Sequence, residues 1–213
     1  MALDETITFF YAPHSRANAV RVLLEELRLP YNLHVLNMQA GEQRRAAYMA
    51  VNPMGKVPAI QHRGVLITEL VAVLLYLADL PPARLAPALG DPLRGPYLRW
   101  MVFYNSCFEP ALGDRFMKVT PSPMQAGYGD FDTMFSTLIA QLRAGPYILG
   151  EHLTAADILW ATSLRFMTQF NMLPATTEVQ RYVAHVCARP SFAKVQEAET
   201  ALVAEHEKAP KAG

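Results

Sequence analysis

The chain has 213 residues, 52% of them hydrophobic, and its 19 basic and 19 acidic side chains give a formal net charge of zero. This composition excludes an intrinsically disordered chain, because disorder requires low hydrophobicity and high net charge. A nucleic-acid partner is not expected either, since such proteins cluster Lys and Arg, and here Arg44-Arg45 is the only adjacent basic pair. A chain of this length can bury one large core or two smaller ones.

Three further features bear on the compartment. Residues 1–5 are acidic and lack the basic-then-apolar layout of a secretory signal. The longest strongly apolar run, 70–78, has nine residues, whereas a bilayer-spanning helix needs about 20. Cys107 and Cys187 are too few and too far apart for a disulfide framework, which points to a reducing compartment. These features predict a soluble cytoplasmic protein that does not cross a membrane.

Strand and helix patterns alternate in the first 80 residues. In chain order, the predicted elements are a strand at 6–11, a helix around 20–27, a strand at 31–38, a short helix at 44–50, strands at 57–61 and 65–67, and a helix at 69–78. The strands are rich in β-branched and aromatic residues. The first and last helices carry apolar side chains at i, i+3, i+4 and i+7. The order β-α-β-α-β-β-α predicts an α/β domain over residues 1–80.

The sequence then becomes rich in proline and, after that, purely helical in pattern. Four of the thirteen residues from 80 to 92 are prolines, which lack an amide donor and interrupt regular structure, so 81–92 is predicted to be a linker. Helices are predicted at 92–118, 127–143, 155–170, 178–188 and 192–207. Thr154 and Asp157 are spaced as a capping box for the third of these helices. Residues 93–213 are therefore predicted to form an all-helical domain, so the expected fold class is α/β followed by all-α.

Metal and nucleotide motifs are missing from the sequence. The six histidines show neither HxxxH nor HExxH spacing, and no CxxC lies near them, so no metal site is expected. Gly127 and Gly129 lack the third glycine and the preceding strand of a dinucleotide-binding fingerprint. No GxxxxGK[ST] segment supports nucleotide hydrolysis.

The segment NPMGKVP at 52–58 lies between a predicted helix and a predicted strand. Val57-Pro58 at the head of the strand is a candidate for a cis peptide bond, which folded proteins keep mainly in tight turns. Such a turn exposes the N–H and C=O of Val57, and an extended peptide can pair with them as a strand does. An ordinary turn that uses two prolines and a glycine is the alternative interpretation.

Glu69 immediately precedes an apolar helix. A carboxylate at this position can complement the helix dipole without any further role. Alternatively, it can accept the ammonium group of a ligand while free N–H groups of the same turn hold a carboxylate. A site with both features suits an amino-acid zwitterion.

The loop YAPHSR at 11–16 follows the first strand and precedes a helix, which is where ligands bind in open α/β sheets. A hydroxyl from Ser15 or Tyr11 that donates to a thiol sulfur would favour the thiolate, because a hydrogen bond to the charged form lowers a pKa. Ser15 can also be a simple helix cap, and Tyr11 can be a packing residue of the strand.

Taken together, these segments resemble a cytosolic glutathione S-transferase over nearly the whole chain. The matching segments are YAPHSR at 11–16, VRVLLEE at 20–26, NPMGKVP at 52–58, Glu69, and YILGEHLTAAD at 147–157. The resemblance implies a thioredoxin-like N-terminal domain that binds glutathione and an all-helical C-terminal domain that contributes a hydrophobic-substrate pocket. It also implies a homodimer.

The resemblance assigns roles to single residues of the glutathione site. Val57 would pair with the cysteinyl backbone, Pro58 would be the cis proline, Glu69 would bind the γ-glutamyl ammonium, and Lys56 would lie near a carboxylate. Leu70 stands where the family often has a serine that donates to the γ-glutamyl carboxylate, so only the Leu70 N–H is available there.

The resemblance leaves two candidates for the activating hydroxyl. Ser15 is the first choice and Tyr11 the second. Arg16 stands where cysteine-type bacterial members have their cysteine, which argues against mixed-disulfide chemistry.

For the second domain, the resemblance implies folding roles for Thr154 and Asp157. It suggests a hydrophobic-substrate pocket on the first part of the long helix, with these candidate residues: Phe103, Tyr104, Cys107 and Phe108. An aromatic stripe at helical spacing is also what a packed core requires.

The function implied is a transferase that activates the thiol of glutathione, its co-substrate, for attack on a hydrophobic electrophilic small molecule. Glutathione-dependent isomerisation, dehalogenation, peroxide reduction and disulfide reduction are alternatives. A non-catalytic binding or interaction protein that retains the fold is another.

Overall fold

A computed structural model describes residues 6–82 and 84–208. The described residues form two compact units, one of 6–80 with 190–208 and one of 81–189. The sequence places everything after residue 92 in one helical domain, whereas the last helix belongs to the first compact unit. Within the described ranges, no helix combines the length and apolar character that a membrane span requires.

The first unit is built on a four-stranded mixed sheet. Its elements are β1 (Ile7–Tyr11), α1 (Ala17–Leu27), β2 (Tyr31–Val35), a 3₁₀ turn (Glu42–Arg44), α2 (Ala46–Met49), β3 (Ala59–His62), β4 (Val65–Thr68), α3 (Leu70–Ala78) and α9 (Pro190–Lys208). The strand order is β2-β1-β3-β4, with β1 parallel to β2 and antiparallel to β3, and β3 antiparallel to β4. The predicted order of elements is confirmed for residues 6–78.

Three predicted strands are shorter in the structure. The strand predicted at 6–11 begins at Ile7. The strand predicted at 57–61 begins at Ala59, since Pro58 has no N–H to donate to a ladder. The strand predicted at 31–38 ends at Val35.

Both faces of the sheet are covered by apolar side chains. Phe9 and Tyr11 lie on one face, and α1 and α3 pack together with fully buried Val20, Leu23 and Leu74. Successive side chains of a strand point to opposite faces. On the other face, a smaller cluster contains Phe10, Leu36, Tyr48 and Ala59. Helix α9 packs along α1.

The second unit is helical, apart from an isolated bridge between Tyr147 and Gly150. Its helices are α4 (Arg94–Phe103), a π-helical turn (Tyr104–Phe108), α5 (Glu109–Met117), α6 (Phe131–Arg143), α7 (Ala155–Gln169) and α8 (Thr177–Cys187). The first three follow one another without a break and correspond to the helix predicted at 92–118. Helix α6 begins later than predicted because Asp130 caps it, its side chain accepting a hydrogen bond from the Thr133 N–H at 2.8 Å.

The predicted capping box of α7 is confirmed. Fully buried Asp157 accepts hydrogen bonds from the Thr154 N–H at 2.8 Å and the Thr154 hydroxyl at 3.0 Å. It also accepts from the Ile148 N–H at 2.6 Å and the Tyr182 hydroxyl at 2.9 Å. Asp157 therefore joins the start of α7 to the preceding loop and to α8.

Candidate functional site

The sheet register brings three of the predicted segments to one edge. Phe10 of β1 pairs with Ala59 of β3, and Ala59 also pairs with Thr68 of β4. The end of β1, the beginning of β3 and the end of β4 therefore lie side by side. The loop 12–16, the turn that ends at Pro58, and Glu69 leave the sheet at this edge.

The peptide bond between Val57 and Pro58 is cis, as the sequence suggested. Two side chains hold the preceding carbonyl: the Tyr48 hydroxyl donates to Lys56 O at 2.6 Å, and Asn52 Nδ2 donates to the same oxygen at 2.9 Å. Among the described residues, neither the N–H nor the C=O of half-buried Val57 has a hydrogen-bond partner. Val57 is thus held in place with its backbone groups free for an extended ligand.

The turn requires a glycine at position 55. Its φ of +61° lies in the left-handed region, and a Cβ there would come within 2.8 Å of the Gln43 carbonyl oxygen. The Gly55 N–H donates to Asn52 O at 2.8 Å. Asn52 therefore organises the turn with both its backbone and its side chain.

Glu69 adopts an unusual backbone conformation, with φ 68° and ψ 119°. A non-glycine residue held in such a region costs about 1–3 kcal/mol, and such residues cluster at functional sites. The Glu69 side chain is exposed and makes no capping hydrogen bond to α3. Its carboxylate is available beside the first N–H groups of that helix, which begins at largely buried Leu70.

Half-buried Ser15 lies in the loop between β1 and α1. Its hydroxyl donates to Ala12 O at 2.6 Å and accepts a hydrogen bond from the Ala17 N–H at 3.2 Å. Ser15 therefore helps to start α1, as the simple capping interpretation expects. To donate to a ligand sulfur, the hydroxyl must rotate away from Ala12 O.

Tyr11 is fully buried, and its hydroxyl faces inward. It donates to Asn18 Oδ1 at 2.7 Å, and the ring centroid lies 5.0 Å from the Arg21 guanidinium carbon. Burial and, secondly, the Glu199 carboxylate raise the pKa of Tyr11 far above its usual value of 10.0. This arrangement favours Ser15 over Tyr11 as the hydroxyl that a ligand at this edge can reach.

Glu199 of α9 is a residue of this region that the sequence did not identify. Its Oε1 accepts hydrogen bonds from the His14 N–H and from Asn18 Nδ2, both at 2.7 Å. The sequence spacing could have indicated this residue, because Phe192, Val195 and Glu199 share one buried stripe of the helix. An acid on a stripe where apolar residues are expected marks a specific polar contact.

The candidate pocket residues of the second unit separate into two kinds. Tyr104 and Phe108 are fully buried, and their ring centroids lie 5.4 and 4.9 Å from that of Trp160. They are core residues of this unit. Phe103 and Cys107 are partly exposed and remain the two candidates that reach the surface.

A metal is not suggested by the arrangement of side chains. Over residues 6–82 and 84–208, no group of three or more His, Cys, Asp or Glu side chains is placed to hold an ion.

Comparisons with known proteins agree with this architecture. The family described as "Glutathione S-transferase, N-terminal domain" matches residues 15–80, and "Glutathione S-transferase, C-terminal domain" matches residues 129–190. Rat glutathione S-transferase theta-1 is 28% identical over 166 residues, which cover 68% of this chain and 66% of the rat protein. The Escherichia coli disulfide-bond oxidoreductase YfcG is 25% identical over 71% of this chain and 76% of its own length.

Comparison with a solved structure shows that the chain shares the fold of a glutathione transferase homologue. A glutathione transferase homologue from Sulfitobacter, crystallised with bound glutathione, superimposes with a TM-score of 0.74 at 25% identity. The match covers 91% of this chain and 98% of the Sulfitobacter chain.

Proposed function

Because this chain belongs to the glutathione S-transferase family, we propose that it binds glutathione at the sheet edge formed by residues 12–16, 52–58 and 69. In this proposal the bound thiol is activated for attack on a hydrophobic electrophile. The observation that carries it is the presence, at one edge, of the unpaired backbone of Val57 and the free carboxylate of Glu69. A tripeptide with a free amino group needs both.

Backbone pairing fixes the middle of the ligand. The Val57 N–H and C=O bind the cysteinyl residue of glutathione as a neighbouring strand would. The side chains of Tyr48 and Asn52 keep this backbone in register through Lys56 O. Lys56 is exposed, and we assign it to a glutathione carboxylate, which its positive charge attracts.

Charge pairing fixes the γ-glutamyl end. Glu69 binds the ammonium group, and the N–H of Leu70 at the start of α3 binds the carboxylate. The apolar Leu70 side chain cannot add a hydroxyl donor. A hydrogen bond to a charged group is worth about 1.5–3 kcal/mol, so glutathione binds roughly ten- to a hundredfold more weakly than it would with serine there.

Thiol activation is assigned to Ser15. A free thiol has a pKa of about 8.5 and is only a few per cent ionised at neutral pH. When the Ser15 hydroxyl turns from Ala12 O to the sulfur, it stabilises the thiolate and the proton leaves to solvent. The sulfur then forms a bond to an electrophilic carbon, and the leaving group departs with its electron pair.

The hydrophobic co-substrate is assigned to the second unit. Phe103 and Cys107 are the side chains assigned to it, because Tyr104 and Phe108 are fully buried in the core of the second unit. As the family resemblance implies, the protein is proposed to act as a cytoplasmic homodimer.

Turnover of a generic chloro-nitrobenzene with glutathione tests this function. We expect Ser15→Ala to reduce kcat/KM strongly and Tyr11→Phe to reduce it little. Full activity in both variants would contradict the assignment of the activating hydroxyl.

A second candidate is a non-catalytic glutathione-binding protein. It is favoured by one observation, the engagement of the Ser15 hydroxyl by both Ala12 O and the Ala17 N–H. Calorimetric binding of glutathione without turnover of chloro-nitrobenzene, peroxide or low-molecular-weight disulfide substrates would support this candidate over the enzyme.

A further inference from the structure

The carboxylate of Glu199 is buried in the first unit at the position where α9 meets the loop after β1. The residue is only 6% exposed. Its Oε1 accepts hydrogen bonds from the His14 N–H and Asn18 Nδ2, both at 2.7 Å, and lies 3.5 Å from the Tyr11 hydroxyl. His14 Nδ1 lies 3.9 Å from the same oxygen.

These contacts fall on both sides of Ser15. His14 immediately precedes Ser15 and has a φ of 54°, which few non-glycine residues adopt. Asn18 lies in the first turn of α1 and is fixed at its other side-chain atom by the Tyr11 hydroxyl. One oxygen of Glu199 therefore holds the backbone before Ser15 and the helix after it.

The two close hydrogen bonds to one oxygen explain how this carboxylate can be buried here. The guanidinium of Arg21 lies over the Tyr11 ring, and its buried Nε and Nη1 have no hydrogen-bond partner. Burial and the negative charge of Glu199 raise the pKa of Tyr11, whereas the positive charge of Arg21 lowers it. The hydrogen bonds to a charged oxygen are strong ones, because an ionised acceptor shortens and strengthens them.

Helix α9 is also fixed at its beginning. The Ser191 hydroxyl donates to Glu26 Oε1, and Lys194 Nζ contacts Glu25 Oε2 at 2.6 Å. Loss of the Glu199 contacts therefore does not by itself release the helix from α1.

We propose that Glu199 is a positioning residue that fixes the loop 12–16 so that Ser15 can reach the sulfur of bound glutathione. This inference rests on the proposed function, because it assigns Glu199 to the same site. The alternative is that Glu199 only ties α9 to the rest of the first unit. Only in the first role does the stabilisation of the thiolate by Ser15 depend on Glu199.

Three variants show whether the acceptor oxygen of Glu199, its negative charge, or simply a carboxylate on α9 matters for the loop 12–16. Glu199→Gln keeps an acceptor oxygen, and since both close hydrogen bonds use one oxygen, the amide can replace it. Glu199→Ala removes the acceptor. Glu197→Ala is the matched control, because Glu197 is an exposed carboxylate of the same helix.

The first measurement is hydrogen exchange at the His14 amide, which requires no ligand. We expect exchange at least tenfold faster in Glu199→Ala, and wild-type protection in Glu199→Gln and Glu197→Ala. The second measurement is the pH titration of the thiolate of bound glutathione by its ultraviolet absorbance. The thiol pKa should rise in Glu199→Ala and Ser15→Ala and stay close to the wild-type value in Glu199→Gln.

A double variant tests whether Glu199 acts through Ser15. We expect kcat/KM of Ser15→Ala/Glu199→Ala to equal that of Ser15→Ala within about twofold, because a residue that acts through another adds nothing once that residue is gone. Independent, multiplying effects would overturn the proposal, as would a wild-type thiol pKa in Glu199→Ala. If Glu199→Ala does not fold, Asn18→Ala removes the second hydrogen bond to Glu199 and the acceptor of the Tyr11 hydroxyl. It leaves the His14 hydrogen bond in place, so it is judged by the thiol pKa and by the double variant with Ser15→Ala.

The two proposals fail in different ways. If the wild-type protein binds no glutathione, the proposed function fails, whatever the exchange at His14. If glutathione binds and is activated but Glu199→Ala behaves as Glu197→Ala does, only the positioning role fails.

Discussion

The Tyr11 hydroxyl donates a hydrogen bond of 2.7 Å to Asn18 Oδ1, seven residues along the chain. This hydrogen bond directs the Tyr11 hydroxyl toward α1, although Tyr11 itself ends β1 at the edge of the sheet. Tyr11 is therefore the second candidate for the activating hydroxyl and Ser15 the first, because Tyr11 is fully buried whereas half-buried Ser15 lies in the loop that reaches the edge.

Tyr11→Phe is expected to leave the thiolate titration of bound glutathione unchanged. The variant removes one buried hydrogen bond, so the free energy of unfolding should fall by about 0.5–1.5 kcal/mol. Denaturant unfolding and the ultraviolet thiolate signal measure the two effects separately. A marked rise in the thiol pKa would return Tyr11 to the role of activating hydroxyl.

Asn52→Ala is expected to weaken glutathione binding more than it lowers kcat. The side chain holds Lys56 O at 2.9 Å and accepts from the Met54 N–H at 3.1 Å, so the turn before Pro58 loses two supports. We expect KM for glutathione to rise and stability to fall by about 1–3 kcal/mol. Asn32→Ala, at an exposed position of β2, is the control. Unchanged KM in Asn52→Ala would show that the turn does not bind the ligand.

Glu69→Gly should separate stability from binding. Glycine tolerates positive φ, so the strain at φ 68° is relieved and the net gain in stability should be on the order of 1 kcal/mol. Glutathione affinity should fall at the same time, because the carboxylate is lost. Glu69→Gln removes the charge and keeps the strain, so it should lose affinity with no gain in stability. Calorimetry and thermal unfolding of both variants check this, and undiminished affinity in both would exclude Glu69 from the site.

Tyr48→Phe should change the alkaline stability in a defined direction. Burial raises the pKa of Tyr48 from 10.0 to about 12. The folded state therefore keeps a proton that the unfolded chain releases, and stability is lost as pH rises from 10 toward 12. The loss reaches at most about 1.4 kcal/mol per pH unit.

When the unfolding free energy of Tyr48→Phe is subtracted from that of the wild type, the contributions of the other buried tyrosines to the pH dependence cancel. The difference should be constant below pH 10 and shrink above it. A difference that stays constant to pH 12 would contradict the raised pKa.

The sequence predicts the fold well because its signals are local. Alternating apolar residues and helical spacing define the order of strands and helices up to residue 78, and proline at 58 marks the turn before β3. The capping box of Thr154 and Asp157 is likewise contained within four residues. Each of these features depends on neighbours in the chain.

What the sequence does not predict depends on distant contacts. Glu199 lies 185 residues from His14, and no pattern along the chain pairs them. Tyr104 and Phe108 have the spacing of either a pocket or a core, and only packing around Trp160 decides for the core. The unpaired backbone of Val57 also becomes visible only once the sheet register is known.

Calorimetric titration of the wild-type chain with glutathione, with Glu69→Gln as the paired variant, tests whether the sheet edge binds this ligand. We expect one glutathione bound per chain at or below millimolar concentration, and weaker binding in the variant. Absence of binding at millimolar glutathione, or equal affinity in the two proteins, would contradict this expectation.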